Sequence, residues 1–165
     1  MPIQFQAGQR VTADDLQDLA STRVVQGAEQ TETNSTTLID TSIVVPISDM
    51  THVFLDVRYT STGGGIRWTW RNSGSITTYN RSISSAGDPT TGTNHSIANM
   101  RLRQIATLNE LQQVPHFQNA STHAIWENLV VEGEGDIILQ FSQQTANAGS
   151  TAIHANSYAL YTRLA

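Results

Sequence analysis

Three groups of side chains in this 165-residue sequence have types and spacings that suggest chemistry. Glu132, Glu134 and Asp136 place three carboxylates within "EGEGD", a supply of hard oxygens suited to calcium, although the spacing is not that of an EF-hand loop. The competing reading is a solvated hairpin turn between two strands, and the glycines favour it. Trp68 and Trp70 alternate within "IRWTWR", so both rings fall on one strand face. Exposed, they would stack on a sugar; buried, they would supply core, and core is favoured. His52 and Asp56 share the polar face of "THVFLDVRYT", but about 13 Å of extended chain separates them, so they cannot pair with each other and are expected as surface residues.

Arginine makes a fourth group. Arg101 and Arg103 alternate with Asn99 along "SIANMRLRQI" and, with Arg67 and Arg71, would offer fork-shaped donors to carboxylates on a partner subunit. Solvated arginines are the competing reading.

Other chemistry is missing. No Ser sits in a Gly-x-Ser-x-Gly elbow, no glycines form a phosphate-cradling loop, and no His pair has metal-ligand spacing. All nine basic residues are Arg, so no Lys exists for a Schiff base. The absence of Cys removes disulfides, thiolate zinc sites, iron–sulfur clusters and thiol nucleophiles. The expectation is a non-enzymatic protein without metal or cofactor.

A formal charge of −5, from 9 Arg against 14 Asp and Glu, leaves no broad basic surface for a nucleic acid backbone. No apolar run approaches the ~20 residues of a membrane helix. "MPIQFQAGQR" lacks a basic stretch followed by an apolar one, so neither a membrane span nor a secretory leader is expected.

The elements that would carry these residues follow from periodicity. "VTADDLQDLAS" is the one helix signal: Thr12 is an N-cap, Asp14 and Asp15 complement the dipole, and Val11 with Leu16 forms a hydrophobic staple. Leu16, Leu19 and Ala20 make one apolar stripe, predicting a helix from about Ala13 to Thr22. A helix that short is marginal alone and must dock, on its own domain or on a neighbouring subunit.

From Thr37 the period is two. Strands are predicted at "TLIDTSIVVP", "THVFLDVRYT", "IRWTWR", "SITTYNRS", "SIANMRLRQI", "HAIWENLVV", "DIILQFS" and "TAIHANSYALYTRL". Asn72–Gly74 reads as a tight turn making a hairpin of the third and fourth. About eight evenly spaced strands predict an all-β antiparallel sandwich or jelly roll over residues 31–165, preceded by an arm and capped helix over 1–30.

The opening segment, with Phe5, Gly8, Val11-Thr12-Ala13 and Leu16, resembles the start of many small tailed-bacteriophage virion proteins. The closing "SYALYTRL" is similar to the last strand of phage jelly-roll domains. The resemblance implies a structural virion protein: a capsid decoration protein, commonly trimeric, on the major capsid protein, or a minor tail or fibre protein meeting the host. A free-standing carbohydrate-binding module is a third possibility. The residues expected to bind a partner are Phe5, Val11, Leu16, Leu19, Arg101 and Arg103.

Overall fold

The computed structural model describes residues 21–86, 100–105, 107–114 and 122–164, with backbone alone at 85, 86 and 100–105. Eleven strands lie among them: β1 (Thr22–Val25), β2 (Gln30–Thr33), β3 (Ile39–Ser48), β4 (Thr51–Ser61), β5 (Ile66–Asn72), β6 (Ser75–Ala86), β7 (Met100–Ile105), β8 (Gln112–Val114), β9 (His123–Ser142), β10 (Ser150–Ile153) and β11 (Tyr158–Arg163). Every pairing is antiparallel. The all-β fold follows from alternating, β-branched segments. Eleven strands stand where about eight were expected because β1, β2 and β8 are too short to show an alternation, the predicted closing strand "TAIHANSYALYTRL" divides into β10 and β11, and "HAIWENLVV" and "DIILQFS" are one strand, β9.

The twenty-residue β9 organises the molecule. Its first half pairs with β4, to Val131, on one edge and with β6, to Glu134, on the other; its second half pairs with β3 from Glu134 and with β5 from Ile137. The chain thus builds a three-stranded ribbon, with β3 and β4 along one side of β9 and β5 and β6 along the other. All three strands bend at one level. Asp49 takes φ 71°, Gly133 and Gly135 take φ 146° and 132°, and Ser73–Gly74 links β5 to β6. The Asp49 amide donates to the Gly133 carbonyl at 3.0 Å and the Ser73 amide to the Asp136 carbonyl at 2.9 Å, so the corner is bonded across its width.

This arrangement corrects two expectations. "EGEGD" is not a hairpin turn between two strands but a bend inside one, and β5 and β6 do not pair as a hairpin. Glycine marks a place where the backbone needs unusual freedom, and here the freedom serves a fold-over that keeps the strand's direction.

Folding the ribbon at its middle turns one face of both halves onto a single core. Val53, Leu55, Val57 and Tyr59 of β4 meet Ile43, Val45 and Ile47 of β3, and Ile125, Leu129, Ile137, Leu139 and Phe141 of β9 join them. β11, β1 and β7 extend the layer holding β4 and β6, β8 extends the layer of β5, and β3 packs across on β1 and β11 without pairing with them. The result is an antiparallel sandwich whose layers share one bent strand. The predicted helix lies outside the described residues except at Ser21, which is not helical, and Thr22, which opens β1 instead.

Uncharged polar side chains act as latches between connections. Buried Gln143 accepts from the Ser35 and Asn147 amides and donates to the carbonyls of Gly149 at 2.5 Å and Gly63 at 3.3 Å. Gln26 accepts from the Ser42 amide and hydroxyl and donates to the Ala28 carbonyl. In a chain without Cys, such side chains satisfy loop backbone that would otherwise lack partners.

On the outside of the β3–β9–β5 layer, Arg71 forks onto Asp40 (2.6 and 3.3 Å), and Gln140 on the strand between them donates to the same carboxylate. The Arg71 hydrogen bonds hold the Asp40 carboxyl below its ordinary 3.8. A depressed folded-state value gives stability that is present above 3.8 and lost as pH falls through the folded value. The pair is well exposed, so its effect is small and salt-screened. In urea titrations, Asp40→Asn should therefore have a slightly lower midpoint than wild type at pH 7, with the gap closing as the pH is brought below 3.8. A gap that persists in strong acid would show that the carboxylate charge is not its source.

Candidate functional site: a sealed charge cluster and an outward aromatic face

The β9 alternation places Ile125, Glu127, Leu129 and Val131 on one face, so a carboxylate enters the core in phase with aliphatic residues. Glu127 and Arg81, from the neighbouring β6, are both fully buried and pair at 3.0 Å. Trp68 Nε1 donates to Glu127 Oε1 at 2.5 Å and Trp70 Nε1 to Oε2 at 2.8 Å. Arg81 Nη1 donates to the Leu108 carbonyl at 2.7 Å and the Glu110 carbonyl at 2.9 Å, which fixes the connection into β8.

Each carboxylate oxygen takes an indole N–H and a guanidinium N–H. With both oxygens engaged and no exposed surface, the cluster has no place for a substrate and no free acceptor for a proton. It is a structural clamp that ties β5 to β9 and β6 across the core. The Trp rings, 2% and 0% exposed, belong to that core as favoured, and sugar stacking on them is closed.

Glu127 and Arg81 were not singled out from the sequence. The legible signal was a Glu at a core-phase position of a strand, opposite a Trp-x-Trp strand that needs acceptors for two indole N–H groups.

The second feature is the face of the β11–β4–β9 layer turned away from the core. Register sets Leu160 beside Phe54, Tyr158 beside Asp56, and Asp56 beside Trp126. Phe54, Trp126, Tyr158 and Leu160 are half-buried. The Phe54 and Tyr158 rings are tilted at 6.5 Å, Arg23 lies 4.6 Å over Tyr158, and Arg58 lies 5.9 Å from the Trp126 ring. Asp56, expected as a surface residue, is 7% exposed and accepts both forks of Arg58 at 2.9 and 3.0 Å. The i, i+2 spacing of a strand puts these two on one face, a pairing nearer than the His52–Asp56 spacing suggested. A flat array of aromatic rings and Arg is suited to protein contact.

The remaining expected residues are dispersed. Phe5, Val11, Leu16 and Leu19 lie outside the described residues. Arg101 stands opposite Ser85 and Arg103 opposite Ile83 in the β6–β7 pair. Arg67 is turned to Ser142 at 2.8 Å and Arg71 to Asp40, both on β5 in the other layer, so the four arginines are not gathered on one strand pair. Glu132 accepts the Tyr79 hydroxyl. Among the described residues no group of three or more His, Cys, Asp or Glu side chains is placed to hold a metal ion.

No family model matches the sequence, and no curated protein matches it. Among solved structures, the chain is similar to one titled "Structure of infectious bursal disease virus Gx strain", with 9% identity and a TM-score of 0.22, over 88% of this chain and 37% of that one. A second, "Structure of infectious bursal disease virus Gt strain", has 11% identity and a TM-score of 0.21, over 88% and 38%. The chain spans less than two-fifths of those chains, and at such scores the likeness carries no argument about function.

Proposed function

We propose that this chain is a non-enzymatic structural component of a bacteriophage virion, a capsid decoration protein that cements the head through contacts with the major capsid protein and with copies of itself, a trimer being favoured. The observation that carries the reading is the outward face of Phe54, Trp126, Tyr158 and Leu160, at whose edge the N-terminal segment joins the sheet. A rigid sandwich, a flat aromatic face and an apolar-striped arm are the parts of a cementing subunit, and closed symmetry lets many weak contacts act together. The charged cluster in the core is sealed, which agrees with a body built for rigidity.

Phe5, Val11, Leu16 and Leu19 are the arm's contacts in this reading, and Arg101 and Arg103 on β7 are a second contact at the far edge of the layer. Removing residues 1–20 should abolish incorporation into particles while the strand circular dichroism and cooperative unfolding persist. Normal incorporation of that truncation would refute the arm's role.

A tail or fibre role in host contact is the second reading. Trp126 and Tyr158 favour it over the buried Trp68 and Trp70, because rings on an outward sheet face are the ones able to stack on a glycan. Antibody labelling of intact particles separates head from tail, and a glycan array without hits counts against sugar recognition, including that of a free-standing carbohydrate-binding module.

A further inference from the structure

We infer that the outward β11–β4–β9 face is the receptor for residues 11–20 of a second copy of this chain, so that the subunits are joined by exchanged arms. The inference deepens the assembly reading above by naming the contact, and its occupant is argued from where the described chain begins.

Ser21 sits at the rim of this face, its hydroxyl 2.6 Å from that of Thr162, in the row that continues through His52 of β4 to Val130 of β9. From β1 to β9 is three strand spacings, about 14 Å. The predicted helix, stopped at Ala20 by the start of β1, is about 12 Å long and spans most of that width. Its stripe of Leu16, Leu19 and Ala20 offers apolar partners to Phe54, Leu160 and Val130, which stand in two adjacent rows of the face. Charge agrees as well: residues 1–20 hold three Asp against one Arg, whereas the face carries exposed Arg23 and half-exposed Arg58, the latter paired with Asp56, so that Arg23 is the face's cation with no carboxylate on its fork among the described residues.

Reach decides between the chain's own arm and a neighbour's. A layer packed on a sheet lies about 10 Å above it. With helix Cα atoms about 2.3 Å from their axis, the nearest helical backbone is about 8 Å up. Only Ser21 stands between Ala20 and Thr22, and two Cα steps cover at most about 7 Å even when fully extended. Ser21 is moreover held down at the rim by Thr162. Docking on its own face would unwind the last turn and remove Leu19 and Ala20 from the stripe. An arm from a second copy meets no such limit, and a connection too short to fold back favours exchange between subunits.

The test uses full-length protein and its mass in solution by light scattering. The wild type should be a multimer. Leu16→Gln/Leu19→Gln, which spoils the arm, and Phe54→Gln/Leu160→Gln, which spoils the face, should each run at monomer mass. Mixing the two should restore a dimer, because one chain keeps a working face and the other a working arm. A monomeric wild type, a multimer surviving either change, or a mixture that stays monomeric would overturn the inference.

Should the face variant fail to fold, Leu19→Cys/Leu160→Cys in a chain that has no other Cys gives the same answer: oxidation yields covalent multimers for exchanged arms and a cross-linked monomer for a self-docked one, the latter refuting exchange. A multimer held by other surfaces would end this inference while leaving the virion reading intact; that reading is decided separately by whether particles contain the protein.

Discussion

Glu127→Ala should cost about 3–5 kcal/mol of unfolding free energy, a large part of the roughly 5–15 kcal/mol that holds a domain of this kind together. The substitution leaves the Arg81 guanidinium charged in the core and removes the acceptor of both the Trp68 and Trp70 indoles, so three groups lose partners at once. Desolvation of those orphaned groups, more than the lost attraction, makes the loss large. Urea unfolding followed by Trp fluorescence measures it directly. The informative comparison is the double change Arg81→Met/Glu127→Leu, which removes both charges together and should be less destabilised than either single change. Double-mutant losses equal to the sum of the singles would mean that the four side chains do not act as one cluster. The β8 connection gives a second readout: without Arg81, the carbonyls of Leu108 and Glu110 lose their donor, so amides near residues 107–114 should exchange faster with solvent.

Much of this architecture was legible wherever a single strand alternates cleanly. β4 has the burial alternation its sequence predicts, with Val53, Leu55, Val57 and Tyr59 inward, and β5 buries Trp68 and Trp70 as favoured. What was misread depends on more than one strand. "EGEGD" looks like a turn because local sequence reports that glycine permits a bend, whereas the pairing of β3, β4, β5 and β6 along both edges of β9 makes it a corner within one strand. Glu127 likewise looks like a polar interruption until β5 and β6 are set beside it and supply four donors. Of the candidate contact residues, Arg101 and Arg103 fall on β7, which pairs with β6, but the face formed by Phe54, Trp126, Tyr158 and Leu160 went unread. It is assembled from three strands distant in sequence, and period-two patterning labels each of its members only as the less buried half.

The bend in β9 leads to the second large effect. Gly133 holds φ 146°, a conformation costly for a residue with a Cβ, and a Cβ built there would press into the Ser75 carbonyl oxygen. Gly74, facing Gly135 across the corner, would drive a Cβ against the Glu134 carbonyl and to 3.1 Å from Gly135 Cα. Both obstacles are backbone held by hydrogen bonds on either side, so neither can swing away as a flexible side chain would. Gly133→Ala should therefore cost about 3 kcal/mol or more, combining strain at an unfavourable φ with forced separation of two strands. For a chain of this size that lowers the melting temperature by roughly 6–12 °C. Gly27→Ala supplies the contrast: a Cβ there meets nothing within 4 Å, so the change should be neutral or stabilising by up to about 1 kcal/mol through the unfolded chain. Because the corner is where one ribbon becomes two facing layers, its loss should also loosen the packing of β3 on β1 and β11, visible as increased dye binding to exposed apolar surface before global melting. Equal melting temperatures for Gly133→Ala and Gly27→Ala would show that the layers are not joined through a close backbone contact at this point.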